Sequence, residues 1–335
     1  MDWFKRITGF QEREYNTVRA NLSIVDGRLH SLHTEQTFGV GNLETPSLAE
    51  LRQRAAGLAS GQGRTKISCI RGDVRRLHGE GRNAGALFQV ASQFNLLEMV
   101  GPSVTPEDGV TRYQSDPTQG PACAIAAGAG TIYRNYFAPV DGEAGQREDR
   151  QIDCLHDIGH ALGNVDGSLW QMRNGYCQVT DEGLAAIDGQ LRVLDTEQFD
   201  RLRAQLRIGV HWDVEVTDVG VGHRVSQTYC SALPVAYNRD RNPQHWARFA
   251  GLVLEAAYEA TLLVAMLNLK EHGTPVVYLT RLGGGAFGND ADWITAAVRR
   301  AVALTRDAGL DVRIVSFSTP DPGMLALADS DATGD

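Results

Sequence analysis

Gly283-Gly284-Gly285-Ala286-Phe287-Gly288-Asn289 follows an apolar, β-branched run, Pro275-Val276-Val277-Tyr278-Leu279-Thr280-Arg281. It precedes a stretch, 290–308, whose apolar residues recur at helical spacing. Strand, glycine loop and helix in this order make an anion cradle. Consecutive glycines let backbone N–H groups turn towards a ligand, and the helix N-terminus that follows adds positive partial charge. Neither common nucleotide signature fits. The loop lacks the Lys-Ser/Thr of a P-loop and the third-glycine spacing of the dinucleotide fingerprint. Phe287 is the distinguishing residue, because a ring flanked by phosphate-binding amides can pack on an adjoining sugar. The loop therefore reads as a ribose diphosphate cradle, with a tight turn as the competing reading.

The 335 residues suffice for one large α/β domain with elaborations or for two domains. A net charge of -9 opposes nonspecific attraction to nucleic acid or anionic membrane. Cys69, Cys123, Cys154, Cys177 and Cys230 are widely spread without CxxC pairing, which reads as reduced thiols and a cytoplasmic protein. The start, Met1-Asp2-Trp3-Phe4-Lys5-Arg6, has no apolar signal core. The most apolar stretch, 249–269, carries Glu255 and Glu259, so a buried helix is expected there in place of a membrane span.

Outward from the loop, Leu22-Ser23-Ile24-Val25 before Asp26-Gly27 suggests a hairpin in an N-terminal extension. Ser47 reads as the N-cap of a helix to about 58, closed by Gly61-Gln62-Gly63. Strands are expected over 66–70, 86–91, 208–217, 225–229 and 312–317. Helices are expected over 122–137, opened by Gln119-Gly120-Pro121, and over 243–269. Residues 141–206 read as a mainly helical insertion with a turn or short strand around 170–179.

If these strands share one largely parallel sheet, ligands gather at its carboxyl end. Asp73, past the first strand, can accept from an exocyclic amine or simply cap the next turn. Gln119-Gly120 offers a second helix N-terminus, and Phe94 and Asn95 lie in a loop able to reach a ribose. In 208–217, His211, Asp213, Glu215 and Thr217 alternate with Val210, Trp212, Val214 and Val216, giving one polar, acidic face. Carboxylates beside a ribose suit general acid/base work. Asp218, Asp290 and Asp292 are nearby in sequence to these elements, although acidic residues also favour a first helical turn without any function. His156 and His160 share a helical face as half a zinc site would, with no third ligand nameable. Cys230-Ser231 lacks a nucleophile elbow and reads as structural.

Together, Gly72-Asp73 after a strand, the polar loop 92–95, and Gly283 to Asn289 with its Phe resemble the macrodomain fold, an ADP-ribose-binding module. The resemblance implies that Asp73 reads the adenine amine, that two loops bind the diphosphate, and that Phe287 contacts the distal ribose. The usual Asn-Ala-Ala-Asn stretch and Gly-rich catalytic loop are replaced by Ala91-Ser92-Gln93-Phe94-Asn95 and Thr118-Gln119-Gly120-Pro121-Ala122. With Tyr133-Arg134-Asn135-Tyr136-Phe137 and 230–237, these segments are similar to the divergent MavL-type macrodomains, which are arginine-specific ADP-ribosylhydrolases.

That similarity implies a macrodomain-like three-layer α/β/α fold with a mixed central sheet. It implies an N-terminal extension (1–63), an ADP-ribose-binding domain (64–320) carrying the insertion 141–206, and a flexible tail (321–335). The implied ligand residues are Asp73, Phe94, Asn95, Gln119, Gly120, Gly284, Gly285, Ala286, Phe287, Gly288 and Asn289. Asp213 and Glu215, with Asp218 and Asp290, are the expected catalytic carboxylates. ADP-ribose is ligand and product, no cofactor or metal is required, and the partner is an ADP-ribosylated protein, with no nucleic acid and no membrane. The competing readings are an ADP-ribose-binding module without turnover and a metal-dependent hydrolase centred on His156 and His160.

Overall fold

Apolar β-branched runs bounded by turns become strands, and those buried on both faces lose their alternation. In the computed structural model, which describes residues 1–58, 63–218, 222–240 and 242–333, seven strands form the central sheet. They are β1 (Asn42–Glu44), β2 (Lys66–Arg71), β3 (Leu87–Ala91), β4 (Gly209–Glu215), β5 (Arg224–Cys230), β6 (Val276–Leu279) and β7 (Asp311–Ser316). Their spatial order is β1-β4-β5-β3-β6-β7-β2. From β5 to β2 all neighbours run parallel, whereas β4 is antiparallel to both β5 and β1. The sheet is therefore mixed, and five strands end on one edge.

Helices cover both faces. On one side lie α1 (Trp3–Thr8), α2 (Val74–Gly79), α3 (Gln119–Ala126) and α4 (Gly128–Tyr136). On the other lie α5 (Pro243–His272) and α6 (Ala291–Leu304), with the helices Leu48–Ala55 and Asp181–Val193 against α5. Adjacent residues of β3 show the division. Phe88 stacks on His78 of α2, while Gln89 donates to Thr261 of α5. This is the expected three-layer α/β/α arrangement with a mixed central sheet.

Several local expectations hold for stated reasons. Asp26 and Gly27 take positive φ between the strands Leu22–Val25 and Arg28–Ser31, the turn that suits a two-residue hairpin. Ser47 and Glu50 form a capping box on the helix Leu48–Ala55; Gly61 and Gln62 lie outside the described residues. Among the described residues one helix, α5, is long and apolar enough to cross a membrane, but 78% of its most apolar window is buried within the fold. Its inner carboxylates, Glu255 and Glu259, are paired: Glu259 with Arg52 and Arg300, Glu255 with Arg203.

Three expectations are corrected. The segment 122–137 is two helices, because Ala127 leaves helical geometry (φ −111, ψ 55) between α3 and α4. The turn lets α1 pack its Trp3, Phe4 and Ile7 into one cluster with Ala129, Ile132 and Tyr136 of α4. The expected flexible tail 321–335 begins instead with a helix, α7 (Pro322–Thr333), which packs on α6 and β2; residues 334 and 335 lie outside the described set. The polar face predicted for 208–217 is broken by a bulge. The register slips between His211 and Val214, and Asp213 takes φ +54. His211 and Val214 consequently sit opposite Gln227 and Val225 on one face, and Glu215 lands opposite Arg224 on the other. His211 is fully buried against Tyr133 of α4 and Tyr229, and burial holds its imidazole well below the usual value.

Candidate functional site

Parallel strands present their carboxyl ends together, and loops leaving them enclose the ligand space of open α/β sheets. Here the ends of β3, β5, β6 and β7 border a cleft of two chambers. One, of about 190 Å³, is lined by Ala91, Glu98, Gly120, Tyr176, Tyr237 and the segment Gly285-Ala286-Phe287 among others. The second, of about 360 Å³, is lined by Asp73, Arg75, Tyr113, Val315 and Phe317 among others. Asp116, Thr118, Gln119 and Thr280 belong to both, so the chambers adjoin.

The glycine loop is held from behind. Tyr258 of α5 donates to the Thr280 carbonyl and accepts from the Leu282 amide, fixing the chain as it leaves β6. Gly283 then turns at φ +70, where a Cβ would lie 2.5 Å from Asn289 Nδ2. The Asn289 amide donates to the Gly283 carbonyl and its side chain donates to the Leu233 carbonyl. Gly284 and Gly288 donate within the loop, to Arg281 and Gly285. Gly284, Gly288 and Asn289 thus shape the loop, while Gly285, Ala286 and Phe287 line the chamber. Among the described residues, the amides of these three have no acceptor in the protein. The Phe287 ring packs on Tyr176 at 5.4 Å and Tyr237 at 5.7 Å between centroids, three rings forming one wall.

The opposite wall is the start of α3. The Gln119 side chain caps the end of β3, accepting from the Ala91 amide and donating to the Gln89 carbonyl. That clamp presses Gly120 against the strand, where a Cβ would lie 2.0 Å from the Ala91 carbonyl oxygen. The first amides of α3 have no intrahelical acceptor, and the helix dipole adds to their pull on an anion.

The same chamber is lined by Glu98, which the sequence reading did not select. Glu98 is buried, and neither of its carboxyl oxygens has a hydrogen-bond partner among the described residues. Arg134 Nη2 stands 3.6 Å away, an ion-pair distance without a hydrogen bond, and its guanidinium is occupied by the Leu96 carbonyl, Thr131 and the Tyr229 ring. Burial pushes the Glu98 carboxyl up to about 8 against the pull of Arg134. The shift favours its protonated form, the form that can give a proton. Its sequence signal was a lone charge in Leu96-Leu97-Glu98-Met99-Val100. Tyr176 had no such signal: the insertion hairpin Trp170–Arg173 and Tyr176–Val179 brings it in, turning at Asn174-Gly175.

The remaining expected residues divide sharply. Asp73 lines the second chamber and also caps α2 through the Arg75 amide. Gln119 and Gly120 reach the cleft as described. Phe94 and Asn95 do not, because Phe94 is in the core and Asn95 is spent on Gln151 and the Leu97 amide. The expected carboxylate cluster is not formed, since none of its four members lines either chamber. Asp213 stands 3.6 Å from His272; Glu215 accepts from the Gly39 amide; Asp218 binds Arg75 and Arg6; Asp290 caps α6. His156 and His160 are exposed, and no group of three or more His, Cys, Asp or Glu able to hold a metal ion occurs among the described residues.

No protein-family model matches the chain, and no curated protein sequence matches it. Among solved structures, the chain is similar to poly(ADP-ribose) glycohydrolase from Thermomonospora curvata, at 14% identity over 94% of each chain with a TM-score of 0.46. It is also similar to poly(ADP-ribose) glycohydrolase from Deinococcus radiodurans in complex with ADP-ribose, at 11% identity over 88% of this chain and 94% of that one, TM-score 0.43.

Proposed function

We propose that the protein is a hydrolase of glycosidic bonds to ADP-ribose, with Glu98 as its proton-handling carboxyl. The observation that carries this reading is the pairing of three acceptor-free amides, Gly285 to Phe287, with an unpartnered buried carboxyl in the same chamber. Amides without acceptors beside a helix N-terminus suit a diphosphate. The rings of Phe287, Tyr176 and Tyr237 suit the distal ribose, and Asp73 with the exposed Phe317 suits adenine in the second chamber.

In the reaction, the bond between the anomeric carbon of the distal ribose and the linked side-chain atom breaks. Glu98 gives its proton to the departing atom, water adds to the anomeric carbon, and the proton lost by that water restores Glu98. Oxocarbenium charge develops beside the resulting carboxylate, which stabilises it. For the linkage we keep arginine, supported by the MavL-type resemblance and by a second carboxylate, Asp116, bordering the same chamber as Glu98. The substrate is then an ADP-ribosylated protein.

The test is incubation of the purified protein with arginine-, glutamate- and serine-linked ADP-ribosyl peptides, followed by mass measurement. Release from the arginine peptide, abolished in Glu98→Gln with ADP-ribose binding retained in calorimetry, is the expected result. Absence of ADP-ribose binding sinks the reading, and full release by Glu98→Gln removes Glu98 from the mechanism.

A further inference from the structure

Resting on the ADP-ribose reading, we propose that Arg75 contacts the adenosine part of the ligand and that Asp218 is its positioning residue, braced from the N-terminal extension by Arg6. Arg75 is the only cationic residue lining the second chamber among the described residues, and Asp73 and Phe317 line the same space. Its guanidinium is held along one edge, with Nε and Nη2 both donating to the Asp218 carboxylate. Arg6 of α1 donates to Asp218 Oδ1, which Arg75 Nη2 also uses, at 2.6 Å. Burial alone would raise the Asp218 carboxyl, but the hydrogen bonds from Arg75 and Arg6 outweigh it and hold the group ionised.

What remains available on Arg75 decides the ligand. Its charged edge is saturated by Asp218, while Nη1 has no partner among the described residues and 36% of the side chain is exposed. A guanidinium held this way offers a flat face and the two N–H groups of Nη1, which suit a purine ring and its acceptor nitrogens. The diphosphate, by contrast, has its own donors in the other chamber. The geometry gives the extension a task as well. Since α1 is fixed by packing on α4, Arg6 delivers a rigid brace to a carboxylate that two arginines share. Asp218 is thereby reassigned from the expected catalytic group to one acting through Arg75.

The experiment is calorimetry on the full chain with ADP-ribose, AMP and ribose 5-phosphate, using Asp218→Asn, Asp218→Glu, Arg75→Ala, Arg6→Ala and the Asp218→Asn/Arg75→Ala double variant. Asp218→Asn and Arg75→Ala are each expected to weaken AMP and ADP-ribose about tenfold, while ribose 5-phosphate changes less than about twofold. The double variant loses no more than Arg75→Ala, and Asp218→Glu recovers most of the affinity. Arg6→Ala gives a smaller loss confined to the same two ligands. Equal weakening of ribose 5-phosphate, or unchanged AMP affinity in Arg75→Ala, overturns the proposal while leaving the ADP-ribose reading intact. A wild-type protein that binds none of the three ligands overturns that underlying reading instead.

Discussion

Glu98→Gln tests both the electrostatics of the cleft and the proton chemistry built on it. In the folded chain the Glu98 carboxyl keeps its proton up to about 8, against an ordinary value of 4.5. Between those pH values the native state binds a proton that the unfolded chain has released. Stability therefore falls as pH rises, by about 1.4 kcal/mol per pH unit, and the full effect is about 5 kcal/mol. The contribution is present below pH 4.5 and gone above pH 8. Glutamine keeps the shape without the titration, and the other ionisable groups are common to both proteins and cancel in the difference. Urea unfolding of wild type and variant at pH 4, 6, 7.5 and 9 should therefore give diverging curves, the variant gaining several kcal/mol relative to wild type between the extremes. Wild-type turnover should fall as pH rises through 8. Parallel stability curves would show that Arg134 keeps Glu98 ionised, and the proton-donor role would go with them.

Three further outcomes follow from the same geometry. Gly120→Ala drives a methyl into the Ala91 carbonyl oxygen at 2.0 Å, and should cost at least about 2 kcal/mol in urea unfolding together with loss of ADP-ribose binding. Phe287→Ala removes a half-buried ring from a three-ring wall; calorimetry should show about tenfold weaker ADP-ribose binding with little change in Tm. Glu259→Gln leaves Arg52 and Arg300 without their buried partner beneath α5, and should lower stability by about 3 kcal/mol while ADP-ribose affinity holds.

The position of the cleft explains why the sequence reading divided as it did. The glycine loop and Asp73 follow strands directly, so their place at the carboxyl edge is dictated by local order once the strands are parallel, whereas the Gln119 helix start is brought there by its side-chain clamp on β3. Asp213 and Glu215 were misjudged because a single extra residue in β4 moves every side chain beyond it to the other face. Phe94 and Asn95 were misjudged because their loop folds inward: the Phe94 amide donates to Gly175 in the insertion hairpin, which also delivers Tyr176.

By itself the sequence determined six of the seven central strands, the capped Leu48–Ala55, the buried character of α5 and the glycine loop that opens the argument, because these depend on period, turn chemistry and caps within a few residues. Only the tertiary structure decided which carboxyl is buried without a hydrogen-bond partner. A lone Glu in an apolar run says nothing about its pKa until burial removes its water, and Asp218 says nothing about a binding site until Arg6, 212 residues away, meets Arg75 on it. Such long-range encounters set solvation and hydrogen-bond partners, and those are the quantities that turn a residue type into a function.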